Sequence, residues 1–123
     1  MEPITENVIF CVLKKASKKK SPGPDGLSYE FYLKHFDSLK LDMCSLFDSY
    51  LAGDAIPPKS FSAGIINLIQ KTGDIMNLDN YRPISQLNTD YKVFTKILYN
   101  RINTVLPFLL GPGQSVCVKK MHV

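Results

Sequence analysis

The sequence predicts an α+β fold with an unusually small sheet. Three observations lead there. Up to Leu51, apolar residues recur at three- and four-residue steps, the period of a helix. One run of branched residues, Gly64–Gln70, and a short extended segment, Arg82–Ser85, then read as two strands. A long amphipathic stretch from Thr89 or Asp90 to Leu106 completes the pattern. Two strands are marginal on their own in water, so the chain reads as part of something larger.

Taken in order, Thr5 can cap a first helix whose opening turn carries Glu6. Val8, Ile9, Cys11, Val12 and Ala16 fall on one face of it. The helix should end near Ala16-Ser17, because Lys18-Lys19-Lys20-Ser21-Pro22-Gly23-Pro24-Asp25-Gly26 is loop chemistry. Two prolines fix φ there, and the two glycines permit positive φ. Ser28 can cap a second helix with Phe31, Tyr32 and Phe36 on its apolar side. A third runs from about Asp37 to Leu51, carrying Leu39, Met43, Leu46, Phe47, Tyr50 and Leu51, and stops at Gly53. Ile56-Pro57-Pro58 is an extended turn, Lys71–Asp74 a turn and Ile75–Tyr81 a loop. Pro83 biases Arg82 away from helix. On the last helix, Tyr91, Phe94, Ile97, Leu98, Arg101, Ile102 and Val105 line one face, and Pro107 should end it.

Composition narrows the classes. At 123 residues there is room for one modest domain, and 45% hydrophobic with 21% charged residues is ordinary for a globular chain. No stretch approaches the roughly 18 consecutive apolar residues of a membrane span. The apolar run Val8–Leu13 is too short for a signal peptide and ends in lysines, so no membrane partner is expected. Cys11, Cys44 and Cys117 are odd in number and widely spaced, which disfavours a zinc site or a disulfide framework. A reducing, intracellular setting, cytoplasmic or nuclear, is the expectation. The net charge of +4 is unevenly spread: +2 over residues 1–40, −3 over 41–80 and +5 over 81–123. A basic final third suits a polyanion such as RNA or DNA, and equally suits a solvated helix face.

Three blocks look like more than scaffolding. They are Lys20–Leu27 with Tyr29-Glu30-Phe31-Tyr32; Ile65–Asp74; and Asn80-Tyr81-Arg82-Pro83-Ile84-Ser85 continuing through Asp90-Tyr91-Lys92 to Arg101. This ordered trio resembles the amino-terminal part of the reverse transcriptase of non-LTR retrotransposons, the long interspersed element type. The resemblance runs from about Pro3 to Gln114. It implies a partial reverse transcriptase domain: a helical region over about 1–55, then fingers over about 56–123. The fold would be an incomplete right-hand polymerase lacking the palm. It further implies that Lys71 and Arg82 contact the phosphates of an incoming deoxynucleotide triphosphate. From the residues alone, two cations at a hairpin's open side could face one phosphate group, or be solvated loop cations. Lys18, Lys19, Lys20, Lys92, Lys96 and Arg101 are candidate contacts to nucleic acid. The Ser21–Gly26 loop lacks the Gly-Lys-Ser/Thr ending and the preceding strand of a phosphate-cradling loop.

Gln70 stands where the family often has proline, and Gln114–Lys120 departs from the family's Gly-Phe pattern. Nucleotidyl transfer needs converging carboxylates around two divalent ions. No Asp here sits in such a setting, and there is no Tyr-x-Asp-Asp sequence. No catalytic or metal-binding residue is therefore assigned, and magnesium is expected only in a complete enzyme. His35 and His122 are isolated. Three readings stay open: a truncated RNA-directed DNA polymerase, inactive alone; an RNA- or DNA-binding module; and a non-functional remnant of a decayed element, toward which the changed Gly-Phe segment leans. Part of the last helix's apolar face should be exposed, with self-association through Phe94, Ile97, Leu98 and Ile102.

Overall fold

The computed structural model describes residues 2–109. The segment Gln114–Lys120, with Cys117, and His122 lie outside them. The order of elements is α1 (Glu6–Lys15), α2 (Tyr29–Lys34), α3 (Phe36–Ala52), α4 (Lys59–Ser62), β1 (Gly64–Gln70), β2 (Tyr81–Leu87) and α5 (Thr89–Leu109). The architecture is α+β, with the helices around one core and a two-stranded antiparallel hairpin beside them.

The core is built from α1, α2, α3, α4 and α5. Ile9, Leu13, Phe47, Val93 and Ile97 are its most completely buried apolar side chains. Burying each contributes about 1.5–3 kcal/mol relative to leaving it in water. The buried face of α1 is Ile9, Val12 and Leu13, whereas Val8 and Cys11 are exposed. The expected stripe holds for Ile9 and Val12 but is rotated toward Leu13, which takes the inward place expected for Val8 and Cys11. A ten-residue helix with six consecutive apolar residues carries more than one apolar stripe, and Leu13 goes inward because α3 and α5 both lie there. The Ile4 N–H donates to Asp48 Oδ1 at 2.7 Å, which ties the amino terminus to α3.

Ser28 caps α2 as expected, accepting from the Phe31 N–H at 3.3 Å. Tyr32 points inward, while Phe31 stays exposed against His35, with ring centroids 4.8 Å apart. His35 sits at the joint where α2 ends and α3 begins. Gly53 stops α3 in the left-handed conformation, φ 79°. The short α4 was not anticipated. It inserts Phe61 into an aromatic cluster with Tyr50, Tyr91 and Phe94, at centroid distances of 5.3, 5.3 and 6.1 Å. That cluster joins α3, α4 and α5.

Two corrections concern α5. Pro107 lies inside the helix, which continues to Leu109 rather than stopping at Leu106. Pro107 removes one backbone bond, that to the carbonyl four residues back, and only Phe108 and Leu109 of the helix follow it. Ile97 is 1% exposed and Phe94 packs on the core, so neither belongs to an exposed apolar face. The apolar surface that α5 does present is Ile102, Val105, Phe108 and Leu109.

In the hairpin, Gly64 pairs with Leu87 and Gln70 with Tyr81. The second strand is longer than Arg82–Ser85, because Pro83 sits directly opposite Leu68 without breaking the ladder. The Lys71 N–H donates to Asn80 C=O at 2.7 Å. Counting back from that bonded pair in steps of two, Pro83 falls at a position whose peptide nitrogen faces outward, where a missing N–H costs no rung. Every residue of β1 is exposed.

Candidate functional site: a cationic hairpin and a basic groove

The hairpin positions the two predicted phosphate contacts. Arg82 is directly opposite Ile69. Lys71 lies two residues beyond Ile69, and side chains alternate along a strand, so Lys71 and Arg82 share one face as diagonal neighbours. Diagonal pairs of this kind are about 7–8 Å apart, within reach of one phosphate for two long side chains. Ile65, Ile69 and Ile84 occupy the same face, and it carries no acidic residue in the paired segment.

The turn beyond Lys71 is held by its own side chains. Gln70 Nε2 donates to Gly73 C=O at 3.0 Å. Asn80 Nδ2 donates to Asp74 C=O at 3.0 Å, and the Tyr81 hydroxyl donates to Ile75 C=O at 2.9 Å. Gly73 has φ 94°, and a Cβ there would meet the Asn80 side chain at 2.8 Å. Gln70, the departure from the family's proline, thus fastens the turn by a hydrogen bond. A single 3-10 turn, Leu78–Asn80, leads into β2, where sequence reading expected only loop.

The remaining predicted cations separate into two groups. Lys20, Lys92 and Lys96 line one groove between α1 and α5, of about 1060 Å³, together with Lys15. Lys18, Lys19 and Arg101 do not line it. Lys19 has φ 66°, a left-handed conformation uncommon outside glycine. Its N–H donates to Glu30 Oε1 at 2.9 Å, and this bond, with weaker help from Lys18, holds the Glu30 carboxyl below its ordinary value. Arg101 Nη2 donates to Pro3 C=O at 3.2 Å, fastening the amino-terminal segment to α5.

Sequence reasoning missed Asn88 and Thr89, the buried polar pair at the head of α5. Asn88 Oδ1 accepts from the Asp25 N–H at 3.2 Å, and its Nδ2 donates to Ser60 C=O at 3.2 Å. The Thr89 hydroxyl donates to Leu27 C=O at 2.6 Å. These bonds dock the Ser21–Gly26 loop onto the junction of β2 and α5. Polar residues just ahead of an amphipathic run were the available signal, though they announce a helix start rather than a docked loop.

A two-metal centre does not fit the described residues. Asp90 Oδ1 accepts from the Tyr91 N–H at 2.7 Å and Asp25 Oδ1 from the Leu27 N–H at 3.0 Å, so both carboxylates serve local backbone. No group of three metal-ligating side chains occurs among the described residues. Burial raises the Asp90 carboxyl above its ordinary value, and the Asp25 charge adds to this. Burial and the same two carboxylates push the Tyr32 hydroxyl up to about 12. A carboxyl raised on folding makes the folded chain hold more protons than the unfolded one, between the unfolded value and the raised folded value. Stability therefore falls as pH rises through that window. Asp90→Asn should remove this slope, so urea denaturation at pH 4 and pH 7 should show the variant gaining on the parent toward pH 7. The opposite trend would mean that the negative charge at the helix start outweighs the burial.

The ordered sequence blocks carried by the docked loop, the hairpin and α5 are those of a region related to the reverse transcriptases of non-LTR retrotransposons. The comparisons bear this out by sequence. An uncharacterized 149 kDa protein of transposon TX1 from Xenopus laevis is 35% identical over 117 residues, covering 94% of this chain and 9% of that protein. The RNA-directed DNA polymerase from mobile element jockey of Drosophila funebris is 28% identical over 103 residues, covering 84% of this chain and 11% of that protein. The chain thus spans about a tenth of the length of these curated relatives. No family model matches it. No helix among the described residues is long and apolar enough to cross a membrane.

Proposed function

We propose that the chain is the fingers portion of a reverse transcriptase, in which Lys71 and Arg82 hold the triphosphate of the incoming deoxynucleotide. The observation that carries this reading is the register of the hairpin, which sets both cations on one face beside a turn fastened by Gln70, Asn80 and Tyr81. Arg offers a planar fork for two phosphate oxygens, and Lys a mobile point charge. On this reading the chain orients and neutralises the triphosphate, and its nucleic-acid partner is RNA or DNA. The carboxylates for two magnesium ions would come from elsewhere in such a polymerase, since no three metal-ligating side chains converge among the described residues.

The test is to graft residues Gly64–Leu87 into an intact related polymerase and to measure nucleotide incorporation. Arg82→Ala should lower kcat/KM about thirtyfold, roughly 2 kcal/mol, the usual worth of a hydrogen bond to a charged group. Arg82→Lys should lose most of the same, because the fork geometry goes. Unchanged incorporation in Arg82→Ala would make Arg82 an ordinary strand residue and remove the assignment.

A further inference from the structure

We infer that the free edge of β1 pairs with β1 of a second copy of this chain, antiparallel and about a two-fold axis at Asn67, to give a four-stranded sheet. The sheet of one copy has two strands, and among the described residues no third strand covers this edge. The bond from the Lys71 N–H to Asn80 C=O fixes the alternation along the strand. Counting in steps of two along the register, Ile65, Asn67 and Ile69 turn their N–H and C=O toward β2. Gly64, Ile66, Leu68 and Gln70 turn theirs away from it. A second antiparallel strand has to meet those four.

The strand reads nearly the same in both directions from Asn67: Gly-Ile-Ile-Asn-Leu-Ile-Gln. With the axis there, Ile66 meets Leu68 of the second copy and Gly64 meets its Gln70, so all four outward residues fall in hydrogen-bonded pairs. Moving the axis to Ile66 sets Gln70 against Ser62 of α4, and moving it to Leu68 sets Gly64 against Thr72 in the turn, so either shift loses an end of the ladder. On one face Ile65 lies beside Ile69 of the second copy, and on the other Ile66 lies beside its Leu68. In one copy these four side chains are between 47% and 66% exposed, and cross-strand aliphatic pairs would cover them. The two Asn67 amides face each other at the axis, each with a donor and an acceptor for the other. The charges also fit. β1 carries none, and Lys71, four residues from the axis, stands about 27 Å from its counterpart, well beyond the Debye length of about 8 Å. The contact is isologous and uses the β1 of both copies, so assembly stops at two. Nothing in it depends on what Lys71 and Arg82 bind.

A seam of this length is smaller than the roughly 800 Å² per partner of a standard interface, so the dimer should be weak, with a dissociation constant on the order of 100 µM. Sedimentation equilibrium of the whole chain, from about 10 µM to about 1 mM, should show monomer passing to dimer and nothing larger. Asn67→Lys sets two like charges against each other at the axis and should weaken the dimer at least about tenfold. Asn67 is exposed, so the circular dichroism of this variant should match the parent. Ser85→Lys adds the same charge to the exposed surface of β2, and Ile102→Lys adds it to the exposed face of α5. Both should leave the dissociation constant unchanged. Amide hydrogen exchange reads the seam itself. The Ile66 and Leu68 N–H should exchange about fourfold more slowly at about 1 mM than at about 20 µM, following the share of monomer. The inference is overturned if the parent stays monomeric at about 1 mM, or if association runs on past two copies. It is equally overturned if the Ile66 and Leu68 amides exchange at one rate throughout, or if Ile102→Lys disperses the dimer and Asn67→Lys does not.

Discussion

Phe61→Ala should destabilise the chain by about 3–5 kcal/mol, the range for emptying a buried aromatic site. Phe61 is 6% exposed and belongs to a helix of only four residues. Such a helix has almost no stability of its own. It is held because Pro58 C=O accepts from the Phe61 N–H at 2.9 Å and because the ring fills the space between Tyr50, Tyr91 and Phe94. Removing the ring takes away both the buried area and the tilted and edge-on contacts with its neighbours, and leaves a cavity where α3 meets α5. Asn88 Nδ2 also donates to the carbonyl of neighbouring Ser60, so loosening α4 reaches the docked loop. Urea denaturation followed by circular dichroism gives the number. A loss below about 1 kcal/mol would show that α4 is peripheral and that the cluster closes without it. Phe61→Leu should recover much of the loss by refilling the volume.

Gly23→Ala should cost about 3 kcal/mol, and it acts through crowding rather than through backbone conformation. A Cβ at Gly23 would lie 2.4 Å from Asn88 N, 2.5 Å from Asn88 Oδ1 and 2.5 Å from Leu87 C. Two of those atoms are backbone at the junction of β2 and α5 and have nowhere to go. The loop must lift, and overpacking of this kind costs about 1–3 kcal/mol or more. Lifting also parts Asp25 N–H from Asn88 Oδ1 and Leu27 C=O from the Thr89 hydroxyl, stranding polar groups that are buried on the Asn88-Thr89 side. Gly26→Ala is the contrast. Gly26 has φ 73° and open space around it, so its cost is the smaller one of a left-handed alanine. If the two variants melt at the same temperature, the loop is not docked as described.

These two glycines show what a linear reading can and cannot see. Both were expected to supply positive φ, and Gly26 does. Gly23 is there for a close approach to residues more than sixty positions away, which no local pattern encodes. The strand β1 was legible to the residue, because branched side chains bounded by Gly and a turn have few alternatives. α4 was not, since four residues cannot display a helical period. At the candidate site, the family resemblance singled out Lys71 and Arg82, but the register that sets them on one face was not legible, because β2 is longer than the segment Arg82–Ser85 that its sequence marks. Nor was the groove: Lys15 and Lys20 meet Lys92 and Lys96 only because α1 packs on α5. Arg101 looked like part of the same basic set, yet its Nη2 donates to Pro3 C=O and its Nη1 is buried away from the groove without a partner among the described residues.

The outward-facing nitrogen of Pro83 makes the two borders of the hairpin unequal. Beyond β2, a further strand would meet a ring carbon where it needs a donor. Beyond β1, the border Gly64–Gln70 offers donors and acceptors along its length, with neither charge nor proline to repel a newcomer. Enlargement of this sheet is therefore one-sided, and whatever strand completes it must enter beside Ile66 and Leu68.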